Sequence, residues 1–181
     1  MNPLSPLLLD MISEIRTVPD YPAPGIRFYD ITTLLKDADR FNQIGHALKE
    51  RYRDIPITKV VAVESRGFIF GSALAALLHV GFVPLRKPGK LPSSVYSASY
   101  QKEYATDMLE IHTDALTSSD VVILHDDVLA TGGTANASLE LLSHFNIKSV
   151  YLDFLLEIES LNGRSHIIHP YTAIHSLLKV P

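Results

Sequence analysis

Val121-Val122-Ile123-Leu124-His125-Asp126-Asp127-Val128-Leu129-Ala130-Thr131-Gly132-Gly133-Thr134 is the stretch on which the fold turns. Val121–Leu124 is a short apolar run and reads as a buried strand. Asp126 and Asp127 follow at its C-terminal end, where ligands bind in open α/β sheets. The next residues are small. Ala130, Gly132 and Gly133 let backbone N–H groups approach an anion, and Thr131 and Thr134 add hydroxyl donors. A helix expected from Thr134 to His144 adds the positive end of its dipole. Carboxylates do not bind phosphate, so Asp126 and Asp127 read as acceptors for ribose hydroxyls or as groups that orient a magnesium ion. The ligand implied has a diol and a terminal phosphate. A nucleoside triphosphate fits less well, because no G-x-x-x-x-G-K-[ST] pattern occurs. A bare Thr-Gly-Gly-Thr turn would serve equally as a plain strand–turn–helix. The paired aspartates and the apolar strand before them favour the ligand reading.

Working outward, apolar strands alternate with helical patterns. Ser5-Pro6 reads as an N-cap with proline at the first helical position, and Leu8, Met11, Ile12 and Ile15 carry a first helix to about Thr17. The proline-rich run Pro19–Gly25 breaks it. Asp39 is expected to cap a helix through Arg53, with Phe41, Ile44, Leu48 and Tyr52 on one face. Lys59–Val63 reads as a buried parallel strand ending at Glu64. Phe68–His79 reads as a helix closed by Gly81, and Phe82–Leu85 as a strand ending in the basic cluster Arg86, Lys87 and Lys90. Pro88–Tyr104 is long and polar for a connection, which suggests a functional loop or lid. Met108–His112 alternates and suits a hairpin. Lys148–Leu156 and Tyr171–Leu178 complete the strands. The expected fold is α/β: a single domain over 1–181, with a mainly parallel twisted sheet flanked by helices and a flexible loop or hood.

Composition bounds the chemistry. The chain has 181 residues, 46% of them hydrophobic and 20% charged, enough for a real core. It has no cysteine, which excludes disulfides, thiolate metal sites and a cysteine nucleophile. The net charge of −4 argues against nucleic acid as a partner. No run approaches the roughly 18–20 apolar residues of a membrane span, and Asp10 interrupts the only leader-like stretch. The eight histidines are scattered and no serine sits in a G-x-S-x-G turn, so no catalytic triad is legible.

The segment 121–134 resembles the phosphoribosyl pyrophosphate motif of the type I phosphoribosyltransferases. Asp20–Thr32, Glu64–Gly71, Arg86–Pro92, Glu103-Tyr104 and Leu109–His112 narrow the resemblance to the adenine-specific family. The match runs from about residue 14 to 156. It implies transfer of a 5-phosphoribosyl group from phosphoribosyl pyrophosphate to adenine, giving AMP and pyrophosphate. Ala130, Thr131, Gly132, Gly133 and Thr134 would hold the 5-phosphate, and Asp126 and Asp127 the ribose hydroxyls. Glu64, Ser65 and Arg66 would form the pyrophosphate loop, with a non-proline cis peptide at Glu64–Ser65. Lys87 and Lys90, with Arg86, would neutralise the leaving pyrophosphate. Phe28 would stack on adenine, and backbone groups at Arg27 would read its edge. Glu103 would be the acid–base residue at purine N7, joined by Arg66 in catalysis, and Tyr104 would close the lid. The resemblance further implies Mg²⁺ held mainly by substrate, near Asp126 and Asp127 and with no firm protein ligand, and a cytoplasmic homodimer.

Tyr29, Ala105 and His125 depart from the family pattern, which commonly has arginine, glycine and an apolar residue there. Two other readings compete. One is a superfamily enzyme for a 6-oxopurine, whose pocket must satisfy a carbonyl. The other is a non-catalytic regulator, which usually adds a nucleic-acid-binding surface.

Overall fold

The computed structural model describes residues 6–101 and 106–181. Its centre is a five-stranded sheet with strand order β4-β3-β7-β8-β9. The strands are β3 (Lys59–Val63), β4 (Gly81–Leu85), β7 (Val121–Leu129), β8 (Ser149–Ile158) and β9 (Ala173–Val180), and every pairing among them is parallel. After β3 the chain steps outward to β4; after β7 it steps the other way to β8 and β9. The order therefore reverses between β3 and β7. In an open α/β sheet the crevice beyond that reversal is the favoured ligand position.

Helices and a hairpin cover the two faces. On one side lie α1 (Pro6–Glu14), α3 (Ala38–Arg51) and α4 (Gly67–Leu78), with Met11, Ile44, Leu48, Phe70 and Leu74 packed on Val60 and Ile123. On the other lie α5 (Gly133–Ser143) and the antiparallel pair β5 (Val95–Gln101) and β6 (Thr106–His112). Leu109, Ile111, Leu139 and Leu142 there pack on Val61, Leu124 and Leu152. A small antiparallel ribbon, β1 (Arg16–Pro19) and β2 (Arg27–Asp30), stands apart from the main sheet, followed by the single turn α2 (Thr32–Leu35). No described helix is long and apolar enough to cross a membrane.

The α/β architecture expected from the sequence is found, with four differences at element ends. The first helix stops at Glu14, because Arg16–Pro19 are drawn into the ladder with β2, Arg16 opposite Asp30. Asp37, not Asp39, caps α3: it is extended at ψ 117° and its side chain accepts from the Arg40 N–H at 2.9 Å, leaving Asp39 in the first turn. Helix α4 is closed by His79 in the left-handed region at φ 57°, which frees Gly81 to begin β4. Part of the expected loop 88–104 is strand, since Val95–Gln101 pairs with Thr106–His112.

Strand β7 also runs past Leu124 to Leu129, through two aspartates and a histidine. Partners beneath the sheet make this possible. His125 and Asp153 are fully buried side by side, with His125 Nδ1 facing Asp153 Oδ2 at 2.9 Å. The other Asp153 oxygen accepts from Tyr52 Oη at 2.9 Å and Arg51 Nη1 at 2.8 Å. Burial alone would raise the Asp153 pKa, but His125, Arg51 and Tyr52 together hold it below its ordinary value. Its contribution to stability is thus full above the ordinary carboxylate range and is lost as pH falls through the lower folded value. Asp153→Ala strands Arg51 and His125 and should cost about 3–5 kcal/mol in urea unfolding at pH 7. Asp153→Asn should flatten the acid limb of the stability–pH curve.

Candidate active site

Three loops converge beyond the C-terminal ends of β3 and β7. The first is the turn Glu64–Gly67 between β3 and α4, whose Glu64–Ser65 peptide is cis. The Glu64 carboxylate accepts from Arg86 Nε at 3.1 Å, Arg86 Nη2 at 3.2 Å and the Lys87 N–H at 3.0 Å. Arg86 above all, aided by Lys87, holds it below the usual carboxylate range. Glu64 therefore ties the end of β3 to the basic turn after β4. Ser65, Arg66 and Lys87 line a cavity of about 430 Å³ together with Glu64, Tyr100, Asp107, Asp126, Asp127 and Thr134. Lys90 is exposed on the turn and does not line it; its carbonyl accepts from Arg86 Nη1 at 3.2 Å. The sequence reading thus placed Lys87 and Lys90 together, and the structure brings only Lys87 to the cavity wall.

The second loop is the cradle. Val128–Ala135 and Asp126 line a small hollow of about 60 Å³ at the N-terminus of α5. Gly132 adopts φ +88°, open to glycine but costly for a side chain. Backbone amides and the helix dipole meet there, a geometry suited to a phosphate dianion. Asp126 and Asp127 stand between this hollow and the larger cavity. Burial, then the charge of Asp127, raises Asp126 well above its ordinary pKa. Burial likewise raises Asp127, against the pull of Arg66. Two carboxylates so close and so poorly hydrated favour any ligand that supplies donors or positive charge.

The third loop brings the ribbon β1–β2 over the site. Phe28 and Arg27 lie on β2, and Tyr21 meets Phe28 edge-to-face at 5.2 Å. Arg66 reaches across: its guanidinium sits 5.1 Å from the Phe28 ring centre and its Nε 2.7 Å from Asp127 Oδ2. Arg66 is thus the hinge between an anionic cavity and an apolar one. The apolar cavity, about 480 Å³, is walled by Pro22, Ile26, Phe28, Val128, Ile158 and Leu161, with Arg27, Tyr29 and the cradle at its edge. Tyr29, one of the departures, turns its hydroxyl to the Pro181 carbonyl at 3.3 Å. Ile158 and Leu161 went unread in the sequence. They follow the last matched segment, and nothing in their local pattern separates them from ordinary core residues. Glu103, Tyr104 and Ala105 lie outside the described residues. Among the described residues, no cluster of three or more histidine or acidic side chains could hold a metal.

The residues 30–168 match the model of the phosphoribosyl transferase domain. The chain belongs to the adenine phosphoribosyltransferase family. It is 54% identical to the adenine phosphoribosyltransferase of Bacteroides thetaiotaomicron, over 86% of this chain and 88% of that protein. The adenine phosphoribosyltransferase of Colwellia psychrerythraea is 45% identical over 91% of this chain and 93% of its own length. Among solved structures, the Giardia lamblia enzyme complexed with 9-deazaadenine superposes with a TM-score of 0.91 at 40% identity, covering 96% of this chain and 98% of that one. The Thermoanaerobacter pseudethanolicus enzyme gives a TM-score of 0.88 at 44% identity, covering 96% and 99%. The resemblance carried by the sequence motifs is therefore borne out at the level of family and fold.

Replacing Asp126 by Asn removes one of two crowded charges and keeps an acceptor for the Asp127 N–H, which Asp126 Oδ1 now receives at 2.9 Å. The variant should melt about 2–4 °C higher at neutral pH and bind ribose 5-phosphate more weakly, both measurable by thermal shift. Asp127→Asn should likewise weaken phosphoribosyl pyrophosphate binding, seen as a raised KM for that substrate.

Proposed function

We propose that this chain carries out the transfer in the crevice described above, with adenine and phosphoribosyl pyrophosphate giving AMP and pyrophosphate. The observation that carries this reading is the convergence at Asp126 and Thr134 of three cavities: a hollow at the N-terminus of α5, a polar cavity bordered by Arg66 and Lys87, and an apolar slot under Phe28. A base in the slot and a sugar phosphate in the hollow would meet beside Asp126 and Asp127.

Residues 130–134 hold the 5-phosphate. Asp126 and Asp127 accept the ribose hydroxyls, which relieves their mutual repulsion. Phe28 stacks on the purine, while Val128, Ile158 and Leu161 complete its walls and backbone groups at Arg27 read its edge. Arg66 leaves Asp127 for the diphosphate, and Ser65 and Lys87 complete the anion site, with Lys90 near its rim. Positive charge develops at the anomeric carbon as pyrophosphate departs, so catalysis is positioning and charge stabilisation. Glu103 handles the proton at the purine, and Tyr104 helps the loop expected over residues 88–105 to exclude water.

Mg²⁺ fits this site as an ion held chiefly by substrate oxygens. Asp127 Oδ2 has no aligned hydrogen-bond donor although it pairs with Arg66, and a carboxylate pair suits a hard cation. When bound, Mg²⁺ neutralises charge on the diphosphate. We assign the whole chain to one domain, working as a cytoplasmic homodimer, on the resemblance alone.

Purified protein with adenine, phosphoribosyl pyrophosphate and Mg²⁺ should yield AMP, and hypoxanthine or guanine should react far more slowly. A preference for a 6-oxopurine would sink the assignment of the base. Glu103→Gln should lower kcat by about 10²-fold with KM for adenine little changed. The opposite split would remove Glu103 from the chemistry.

A further inference from the structure

Behind the phosphate loop the chain makes a tight double turn through Glu159–Leu161 and Gly163–His166. Beyond Leu161 none of its residues enters the reading above, yet it touches both halves of the site. Leu161 walls the apolar slot. Two residues later Gly163 lies against the cradle from behind. A Cβ on Gly163 would fall 2.1 Å from the Ala130 carbonyl oxygen and 3.1 Å from the Gly132 nitrogen. From the other side, a Cβ on Gly132 would fall 2.7 Å from the Gly163 carbonyl oxygen. The two backbones are in contact with no room for a side chain between them.

The turn is also stiff. Asn162 sits at φ 51°, its N–H donating to Glu159 O at 3.1 Å, and Ser165 returns to Asn162 O through both its N–H and its hydroxyl. Arg164 fixes the turn to the sheet: Nε and Nη2 donate to Glu157 at 2.9 and 2.6 Å, and Nη1 to Ile174 O at 3.0 Å. On the cradle side Asn136, in the first turn of α5, donates to His166 O at 2.8 Å and accepts from Ile168 N–H at 3.0 Å. His166 Nδ1 lies 3.3 Å from Thr131 O.

We propose that Gly163 is a positioning residue, and that this turn couples the two substrate sites by transmitting displacement of the phosphate loop to Leu161 over the base slot. A phosphate seated in the cradle fixes Ala130–Gly132. Backbone contact then fixes Gly163, and the stiff turn carries that constraint to Leu161. By linkage, the base must favour the phosphate by the same factor.

The inference rests on the functional reading above. Calorimetric titration of adenine, with and without saturating ribose 5-phosphate, tests it without turnover, since ribose 5-phosphate has no leaving group. Wild type should bind adenine severalfold more tightly when ribose 5-phosphate is present. Gly163→Ala should weaken ribose 5-phosphate at least tenfold and bring the coupling factor close to one. Should that variant fail to fold, Asn136→Ala keeps the glycine and removes the brace, and should shrink the coupling while melting cooperatively. Leu161→Ala should weaken adenine and lose the coupling. A wild type that binds both ligands independently overturns the inference alone, as does undiminished coupling in both Gly163→Ala and Asn136→Ala. A wild type that binds neither ligand overturns the functional reading, and the inference with it.

Discussion

Two carboxylates crowded together at the end of the central strand repel each other, and the architecture around β7 is organised by that constraint. Burial pushes both Asp126 and Asp127 toward protonation, and the charge of Asp127 pushes Asp126 further. Arg66 lies 2.7 Å from Asp127, and that same guanidinium covers Phe28. An ion pair of this kind is weak evidence of stability. It is better understood as a site kept ready for a ligand that brings its own donors. The position follows from topology: β3 and β7 are neighbours where the strand order reverses, so the turn bearing Arg66 and the strand end bearing the aspartates open into one crevice.

The crowding of charge at the surface of the crevice contrasts with the paired network around Asp153 beneath it. Asp153 receives His125, Tyr52 and Arg51 on its two oxygens. This lets β7 carry His125 at zero exposure one residue before the aspartates. One face of the sheet end is thus locked by polar pairing, and the opposite face by the apolar packing of α5 and the β5–β6 pair. Charged groups short of partners at the crevice, backed by an Asp153 paired on both oxygens, suit a preorganised polar site.

Much of this was legible from local pattern. Val121–Thr134 states a buried strand, two carboxylates and an anion-binding turn in one continuous run, because strand burial, small-residue turns and helix N-termini are properties of adjacent residues. Lys59–Val63 and Phe68–His79 read well for the same reason. The ends of elements read less well. Thr17 was given to a helix because the apolar spacing of Leu8, Met11, Ile12 and Ile15 continues smoothly, and only the pairing of Arg16–Pro19 with Arg27–Asp30 ends it. Asp37 and Asp39 are equally good caps in sequence, and the backbone decides between them.

Local pattern was enough to state the class of fold, a small-residue turn at a helix N-terminus, two adjacent aspartates before it and, through the motifs, the family. Tertiary structure decided which distant groups meet. It set Glu64 on Arg86, brought Lys87 but not Lys90 to the cavity, and made His125 a buried partner of Asp153. It also placed Ile158 and Leu161 in the wall of the apolar cavity and Gly163 against Ala130. Those contacts join residues far apart in the chain or depend on backbone approach within a fraction of an ångström. Neither leaves a periodicity or a spacing in the sequence, so the small-residue turn could be read from its own residues, while the distant groups packed against it could not.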